Sequence, residues 1–372
     1  MDERITKLAK TLVNYSVSLQ KGEKILIMQR GLEGTALIRQ IVKESYAVGG
    51  LPFVKVYDYQ IERELYMSST KEQFGFLAEV DGKLIAEMDC IINVEASRNT
   101  AELYDVPPEK MKLRSLVYKK PVYSDIMLQK KWMILEYPTN SMAQLANTSL
   151  EDFENFYFDV CNLDYQNMSN AMDALVSLME KTDKVRITGK GTDLTFSIKN
   201  IPVVKCDGGC NIPDGEVYTA PIKDSVNGYI TYNTPSAYSG FCYENVYLLF
   251  KDGKIVEATS NDTKRINKVF DTDEGARYVG EFALGVNPYI TKAMKNILFD
   301  EKIMGSFHFT PGSSYEGADN TNKSAIHWDL VCIQTKEYGG GEIYFDDVLI
   351  RKDGLFVLES LKSLNPESLK NY

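Results

Sequence analysis

The chain has 372 residues, 44% hydrophobic and 25% charged, a composition typical of a globular protein with enough apolar material for two domains. Acidic residues outnumber basic ones by 52 to 42, and the net charge of -10 disfavours nucleic acid or an anionic membrane surface as a partner. No window has the apolar length of a membrane span, and the opening residues lack the apolar run of a secretory signal. We therefore expect a cytoplasmic protein.

The six cysteines are scattered along the chain, mostly within apolar runs, which is typical of reduced, packed thiols rather than a disulfide framework. Cys206 and Cys210 form the one close pair, in Cys-Asp-Gly-Gly-Cys. A structural metal usually has four such ligands, and no second pair accompanies this one. A glycine turn is therefore the favoured interpretation.

In chain order, the first pattern is a helix whose apolar residues run from Ile5 to Leu19 at helical spacing and whose end is marked by Lys21-Gly22. An apolar run at 24–28, a helical pattern around 37–42 and a second apolar run at 53–57 then predict a strand, a helix and a strand. This order favours a right-handed crossover and a parallel sheet. Residues 90–94 and 132–135 are predicted to be further buried strands.

A helical pattern from about residue 149 to 181 predicts linker helices. After them the pattern changes from helical spacing to alternation between apolar and polar residues. Residues 185–198, 245–257 and 342–357 each alternate around a turn, and the second contains the strong turn dipeptide Asp252-Gly253. We therefore predict two domains. Residues 1–183 form an α/β domain with an open, mainly parallel sheet, and residues 184–372 form an α+β catalytic domain with a mainly antiparallel sheet.

Glycine-rich segments raise the possibility of a nucleotide site, because glycine lets backbone amides approach a phosphate. Neither Gly189-Lys-Gly191 nor Gly339-Gly-Gly341 is followed by the lysine and hydroxyl pair that a phosphate loop requires. The segment Gln29-Arg-Gly-Leu-Glu-Gly34 is only a loose approximation of a dinucleotide fingerprint. A nucleotide-binding enzyme is therefore the least favoured alternative.

The chain contains only two histidines, His308 and His327, and they lie close together in the sequence. Histidine is the usual nitrogen ligand of a transition metal and the usual proton carrier near neutral pH, so such chemistry is confined to this stretch. His327 and Asp329 lie in Ile-His-Trp-Asp-Leu-Val, whose composition favours a strand. Residues i and i+2 of a strand share one face, so the two side chains are expected side by side, as metal ligands or as a structural pair.

Two glutamates upstream are candidate partners of these histidines. Glu281 is predicted to lie in a helix, between Gly280 and the apolar residues that follow it, where an unpaired buried charge would be costly. A carboxylate in that position is expected to face a cation. Glu216 follows Pro-Asp-Gly, and its surroundings are equally consistent with the start of a strand and with a functional carboxylate.

Four segments in fixed order resemble the thermophilic aminopeptidase family of metallopeptidases, that of aminopeptidases T and S. They are Pro-Asp-Gly-Glu-Val-Tyr-Thr-Ala-Pro, Glu-Gly-Ala-Arg-Tyr-Val-Gly-Glu-Phe-Ala-Leu-Gly, a His-x6-Tyr pattern ending at Tyr315, and Asn-Lys-Ser-Ala-Ile-His-Trp-Asp-Leu-Val. These segments lie within residues 211–333, and the N-terminal opening is similar to the family as well. The resemblance thus covers essentially the whole chain.

The resemblance implies a metal-dependent aminopeptidase that hydrolyses peptides with a free N-terminus through two divalent ions and an activated water. Zinc, cobalt and manganese all suit the mixed oxygen and nitrogen ligands. The implied metal ligands are Glu216, Glu281, His308, His327 and Asp329, with Tyr315 as the active-site tyrosine. Glu281 is our choice as the ligand that bridges the two ions. A homodimer is implied as well.

The chain differs from the family between His308 and His327, where a shorter segment, residues 315–322, replaces a longer glycine-rich loop. This loop helps to shape the substrate chamber, so the difference bears on substrate preference. The alternatives are a catalytically silent relative that binds peptide or metal, and a metal-dependent amidase that acts on a non-peptide bond. The general base is not identified, since the proximity of Glu316 to Tyr315 is proximity in sequence alone.

Overall fold

A computed structural model of the chain describes residues 2–370, which form two compact units. The first unit comprises the described residues up to Asn162 together with Gly208–Ile212. The second comprises Leu163–Asp207 and the chain from Pro213 onwards. This division lies earlier in the chain than the domain boundary predicted near residue 183, because the helix at Tyr165–Met179 belongs to the second unit.

The helices, in chain order, are α1 Glu3–Lys10, α2 Thr35–Ala47, α3 Tyr59–Ser68, α4 Lys71–Ala86, α5 Pro108–Arg114, α6 Asn140–Leu145, α7 Leu150–Cys161, α8 Tyr165–Met179, α9 Thr263–Phe270, α10 Ile297–Asp300 and α11 Pro366–Lys370. The strands are β1 Lys24–Arg30, β2 Leu51–Tyr57, β3 Cys90–Glu95, β4 Lys131–Glu136, β5 Lys184–Gly189, β6 Thr192–Ser197, β7 Val204–Cys206, β8 Asn211–Ile212, β9 Glu216–Thr219, β10 Asn227–Thr231, β11 Ser236–Tyr238, β12 Phe241–Tyr243, β13 Tyr247–Lys251, β14 Lys254–Thr259, β15 Val279–Gly285, β16 Ser306–Pro311, β17 Val331–Ile333, β18 Gly341–Phe345, β19 Val348–Lys352 and β20 Leu355–Phe356. Segments of π-helix at Thr11–Ser16 and Ser115–Ser124 continue α1 and α5.

The first unit contains the predicted parallel sheet, with strands in the order β2-β1-β3-β4-β8. Strands β1 and β3 lie inside the sheet and are buried along almost their whole length, which explains why they read as apolar runs without alternation. Strand β2 lies at the edge and leaves apolar side chains such as Phe53 and Val56 exposed. The predicted fold of this part of the chain is confirmed.

The helical stretch predicted between residues 149 and 181 consists of two helices, α7 and α8. Ser149 caps the first by accepting a hydrogen bond from the Asp152 backbone N–H, and Asp164 caps the second in the same way. The Asp164 cap lies at the break between the two helices and helps to explain it, because a capping side chain competes with continuation of the preceding helix. Every helix within residues 2–370 is too short or too polar to cross a membrane.

The second unit is built from antiparallel sheets, as predicted. One has the order β14-β13-β10-β6-β5-β18-β19-β20, a second has the order β17-β16-β15-β9-β7, and β11 pairs with β12. The hairpins β5–β6 and β13–β14 form where they were expected, and Asp252-Gly253 turns the second with positive φ at both residues. The third predicted hairpin is a meander of β18, β19 and β20.

The core of the second unit lies between its two large sheets. The ring of Phe196 on β6 packs 5.0 Å, between centroids, from both Phe282 on β15 and Phe309 on β16. Because side chains alternate along a strand, the neighbours Glu281 and His308 point to the opposite face of the five-stranded sheet. The packing of the core therefore decides which face of this sheet carries polar groups.

Glu281 does not lie in a helix, and that prediction is wrong. It lies in β15, the central strand of its sheet, with every residue of the strand buried. Burial on both faces removes the alternation that marks an ordinary strand, so the sequence 279–285 lacks a strand signal. Gly280 permits the close approach of the segment around Gly312, since a Cβ at residue 280 would lie 2.4 Å from the Gly312 carbonyl oxygen.

Candidate metal centre

The register of β15 and β16 places two of the predicted site residues on one face. Glu281 lies opposite Thr310, and Ala283 lies opposite His308. His308 and Thr310 are two residues apart on β16 and so share a face, which is also the face of Glu281. The small side chain of Ala283 leaves room for the imidazole opposite it.

The other predicted residues reach the same face from neighbouring segments. Glu216, the first residue of β9, lies opposite Gly285, four residues along β15 from Glu281. His327 forms an isolated antiparallel bridge with Gly312, just beyond the end of β16. Asp329 follows two residues later and accepts a hydrogen bond of 2.8 Å from the Thr310 hydroxyl. The structure thus gathers these residues from segments far apart in the sequence.

The potential ligand atoms form two groups that share one residue. Glu216, Glu281 and His308 make one group, and Glu281, His327 and Asp329 make the other, with the ligand atoms of each group within 4.8 Å of one another. His308 Nε2 lies 2.8 Å from Glu281 Oε1 and 3.5 Å from Glu216 Oε2. His327 Nε2 lies 3.1 Å from Asp329 Oδ1 and 3.5 Å from Glu281 Oε2. Ligands about 2.1 Å from one ion lie roughly 3 to 3.5 Å apart, so the spacing suits a cation.

Several buried polar atoms of this cluster have no hydrogen-bond partner within the protein, as expected of atoms that bind a metal ion. Glu216 Oε2, Glu281 Oε2 and His327 Nε2 are inaccessible to solvent and have no hydrogen-bond partner. A buried polar atom without a partner is costly, so such atoms usually face a ligand that completes them. Three carboxylates and two imidazoles are also a donor set for divalent transition metals. The residues present therefore fit the metal ions that the sequence predicts.

The three carboxylates control the titration of the two histidines. Burial opposes protonation of His308, but the negative charges of Glu216 and Glu281 raise its pKa to about 9. Burial likewise opposes protonation of His327, and Asp329 raises its pKa to about 10. Burial also raises the pKa of Glu281 above its ordinary value. Protons and metal ions therefore compete for this cluster.

Hydrogen bonds from outside the cluster orient the His327 and Asp329 side chains. His327 Nδ1 lies 2.7 Å from the Ser313 carbonyl oxygen, which fixes the protonated nitrogen at Nδ1 and turns Nε2 inward. The Thr310 hydroxyl holds one oxygen of Asp329. The predicted neighbours in His-x-Asp therefore do emerge side by side, although the regular strand begins only at Val331.

Tyr315 lies beside the same end of the cluster. Its ring centroid is 4.3 Å from that of His327, and 51% of its surface is exposed. Desolvation and the negative charge of Asp329 raise its pKa above the ordinary value, so its hydroxyl is a proton donor at neutral pH. The short loop that carries Tyr315 is held by Asn322, whose amide donates to the carbonyl oxygens of Gly275 and Gly312.

Two charged residues that the sequence analysis missed lie beside Glu216. Lys302 is 1% exposed, and its Nζ lies 2.6 Å from Glu216 Oε1 and 2.5 Å from Glu301 Oε1. Burial opposes the charged form, but Glu216 and Glu301 raise the pKa of Lys302 above its ordinary value. Burial also raises the pKa of Glu301, and the positive charge of Lys302 opposes that rise. The sequence signal was an Asp-Glu-Lys run between apolar residues.

Other residues weighed from the sequence lie elsewhere. Glu316 is exposed at the start of a 3₁₀ turn, Glu316–Ala318. Cys206 lies within the second unit near Asp214 and Glu216, whereas Cys210 belongs to the first unit. None of the six cysteines, all of which lie in the described part of the chain, is in a disulfide.

A cavity of about 200 Å³ adjoins the His327 end of the cluster. His327 and Asp329 form part of its lining, together with the apolar side chains of Trp328 and Ile297. The Trp328 indole is held in place by stacking on Tyr238, with the ring centroids 4.7 Å apart. A space of this kind suits a side chain of a bound molecule whose reacting atoms lie at the cluster.

Comparison with known proteins gives a consistent result. The model of the family described as thermophilic metalloprotease (M29) matches residues 1–356. The chain is 26% identical to aminopeptidase PepS of Streptococcus thermophilus, over 88% of this chain and 92% of that relative. It is 25% identical to aminopeptidase T of Thermus thermophilus, over 84% and 85% of the two chains.

The structure of wild-type AmpT from Thermus thermophilus has the same fold. The TM-score is 0.79 at 20% identity, with 96% of this chain and 99% of that chain covered. The predicted combination of a parallel sheet with a mainly antiparallel second part is therefore confirmed. Because the family model spans nearly the whole sequence, the chain belongs to the thermophilic metalloprotease (M29) family, as its ordered motifs predicted, and is a metal-dependent peptidase.

Proposed function

We propose that this protein is an aminopeptidase that removes the N-terminal residue of peptides at a pair of divalent metal ions bridged by Glu281. The observation that carries the proposal is the presence of Glu281 in both groups of potential ligand atoms. A carboxylate has two oxygens and can serve two ions at once. The names of the relatives, aminopeptidase PepS and aminopeptidase T, support the assignment of the reaction.

The proposal assigns Glu216 and His308 to one ion and His327 and Asp329 to the other. The mixed oxygen and nitrogen donors are compatible with zinc, cobalt and manganese. Bound at these positions, the ions would supply Lewis acidity toward the peptide carbonyl and toward a water molecule. The protein residues keep the ligand oxygens and nitrogens turned inward, through the hydrogen bonds of Thr310 and Ser313.

Tyr315 is assigned the stabilisation of charge on the substrate. Its hydroxyl stays protonated and would donate a hydrogen bond to the oxyanion that forms when the peptide carbonyl is attacked. The half-exposed position of the ring places it where a substrate can reach it. The cavity beside His327 and Trp328 would take a side chain next to the scissile bond.

A homodimer and a cytoplasmic location complete the proposal. The homodimer follows from the family resemblance and is supported by the exposed apolar side chains of the edge strand β2, since such an edge is a natural pairing surface. The cytoplasmic location is supported by the six cysteines, none of which is in a disulfide, as is typical of a reducing compartment. Light scattering on the purified protein would give its mass directly and thereby test the dimer.

The reaction is tested with matched substrates. Protein treated with a chelator is reconstituted with zinc, cobalt or manganese and assayed with leucine p-nitroanilide and with its N-acetylated form. Activity is expected only with metal and only on the free amine. His327→Ala is expected to abolish activity with the fold intact, whereas Glu337→Ala, at an exposed position, is the matched control.

Each alternative has its own outcome in the same assay. Equal cleavage of the blocked and the free substrate would favour a metal-dependent amidase. Binding of metal without turnover of any aminoacyl substrate would favour a catalytically silent relative. Full activity after complete removal of metal, or in His327→Ala, would contradict the proposal.

A further inference from the structure

Lys302 is a buried cation in direct contact with the candidate metal centre. Its side chain is 1% exposed, and its ammonium lies 2.6 Å from Glu216 Oε1, 2.5 Å from Glu301 Oε1 and 3.5 Å from Asp214 Oδ1. Lysine is almost never fully buried without compensating partners. Three carboxylates around one ammonium are a more complete set of partners than a single ion pair would provide.

The same ammonium lies 2.6 Å from Glu216 Oε1 and 3.5 Å from Asp214 Oδ1, two members of a third group of potential ligand atoms. The Cys206 thiol and the carboxylates of Asp214 and Glu216 have ligand atoms within 4.8 Å of one another. Thiolate and carboxylate oxygen are both ligands of zinc and of related divalent ions. Because the Lys302 ammonium contacts Glu216 and lies near Asp214, it holds the place that a cation bound to this group would take.

Glu216 divides its two oxygens between this group and the metal centre. Its Oε1 accepts a hydrogen bond from Lys302, whereas its Oε2 has no hydrogen-bond partner and lies 3.5 Å from His308 Nε2. A carboxylate fixed through one oxygen has a defined direction for the other. The ion pair with Lys302 therefore orients the free oxygen of Glu216 toward His308.

We propose that Lys302 is a positioning residue whose ammonium acts as an internal cation in the Cys206, Asp214 and Glu216 group. It excludes a metal ion from that group and limits the centre to two ions. It also presents Glu216 Oε2 to the ion beside His308. This inference rests on the proposed two-ion centre, because the group shares Glu216 with it.

The test is a metal count combined with a spectrum. Protein equilibrated with cobalt is analysed for cobalt per chain and for the charge-transfer absorption of a cobalt–thiolate bond. Wild type is expected to hold two ions without this absorption. Lys302→Ala removes the cation and leaves space, so it is expected to hold three ions and to show the thiolate band. The double variant Lys302→Ala, Cys206→Ser should lose the band, and Lys292→Ala, at an exposed lysine, should match wild type.

The outcomes separate this inference from the proposed function. Two ions and no thiolate band in Lys302→Ala would overturn the inference and leave the two-ion centre intact. A thiolate band in wild type would overturn it as well, because Cys206 would then be a ligand. No bound cobalt in wild type would instead overturn the proposed function. If Lys302→Ala does not fold, Cys206→Ser alone decides, since the inference expects it to keep two ions and the loss of one would contradict it.

Discussion

The two ends of the candidate metal centre are built differently. At one end, His327 and Asp329 are partly exposed and are held by neutral partners, the Ser313 carbonyl oxygen and the Thr310 hydroxyl. At the other end, His308 is fully buried, and Glu216 is held by the ammonium of Lys302. We call the first the open end and the second the closed end.

This difference indicates that the two ends of the centre have different roles. The open end adjoins a cavity and the half-exposed Tyr315, so that a substrate can approach it. At the closed end, the buried ammonium of Lys302 and the carboxylates around it compensate each other's charge, so the loss of one of them leaves a buried charge without a partner. Changes at the open end are therefore expected to alter turnover and the binding of its own ion, whereas removal of Lys302 at the closed end is expected to admit an additional ion.

The largest effect is expected for Glu281→Ala, because this residue is the only predicted ligand common to both ends. The variant should lose both ions and with them about 4 kcal/mol or more of transition-state stabilisation, roughly a thousandfold in kcat/KM. His327→Ala and His308→Ala should each lose one ion. Elemental analysis with steady-state kinetics checks the prediction. Two ions in Glu281→Ala would contradict the bridging role and the comparison built on it.

The second effect separates the chemistry of the open end from its metal binding. Tyr315→Phe removes a hydroxyl and keeps the ring that packs on His327. We expect kcat to fall by about 10² to 10³, the usual cost of one donor to an oxyanion, with the metal count and KM nearly unchanged. Tyr218→Phe is the matched control, since its ring lies 6.0 Å from that of Tyr315. Equal kinetics in the two variants would exclude the role proposed for Tyr315.

Much of this site could be predicted from the sequence, because several of its relations are local. His327 and Asp329 are two residues apart, and an extended backbone alone brings them to one side. The apolar runs of β1 and β3 and the Asp252-Gly253 turn are likewise local signals, and the structure contains the elements they predicted. The ligand set itself was inferred from the family resemblance.

The rest could not be predicted, for reasons that are also physical. Glu281 lies in a central strand whose two faces are both buried, so no period distinguished strand from helix. Lys302 contacts Glu216 across 86 positions of sequence, and such a contact depends on how distant segments pack. The inclusion of α8 in the second compact unit likewise depends on packing between segments far apart in the sequence.

A smaller effect is expected from the hydrogen bond that holds Asp329 at the open end. Thr310 is buried, and Thr310→Val removes its hydroxyl with little change in shape. Loss of such a partner typically weakens metal affinity by about 10- to 100-fold. Thr310→Ser keeps the hydroxyl and is the control. Titration against a competing chelator measures the affinity, and identical curves for the two variants would show that this hydrogen bond does not support the site.

The smallest effect concerns Asp300, which lines the cavity at the open end and precedes Glu301 and Lys302 of the closed end. Burial raises its pKa from 3.8 to about 7, although the Met294 backbone N–H donates to it at 2.6 Å. The pKa of Asp300 is higher in the folded protein than in the unfolded chain. At pH values between these two pKa values, the folded protein therefore binds a proton at Asp300 that the unfolded chain has mostly lost. The stability that this proton contributes is complete below about pH 4 and is lost as the pH rises through about 7.

Asp300→Asn removes this titration and can still accept the bond from Met294. Between pH 5 and pH 8 the melting temperature of the metal-loaded wild type is therefore expected to fall by a few degrees more than that of the metal-loaded variant. The full pKa shift corresponds to at most roughly 4 kcal/mol, which limits the size of this difference. Calorimetry across this range measures the difference. Parallel curves for the two proteins would mean that Asp300 is ionised in the folded protein. Its negative charge would then face the cavity at the open end.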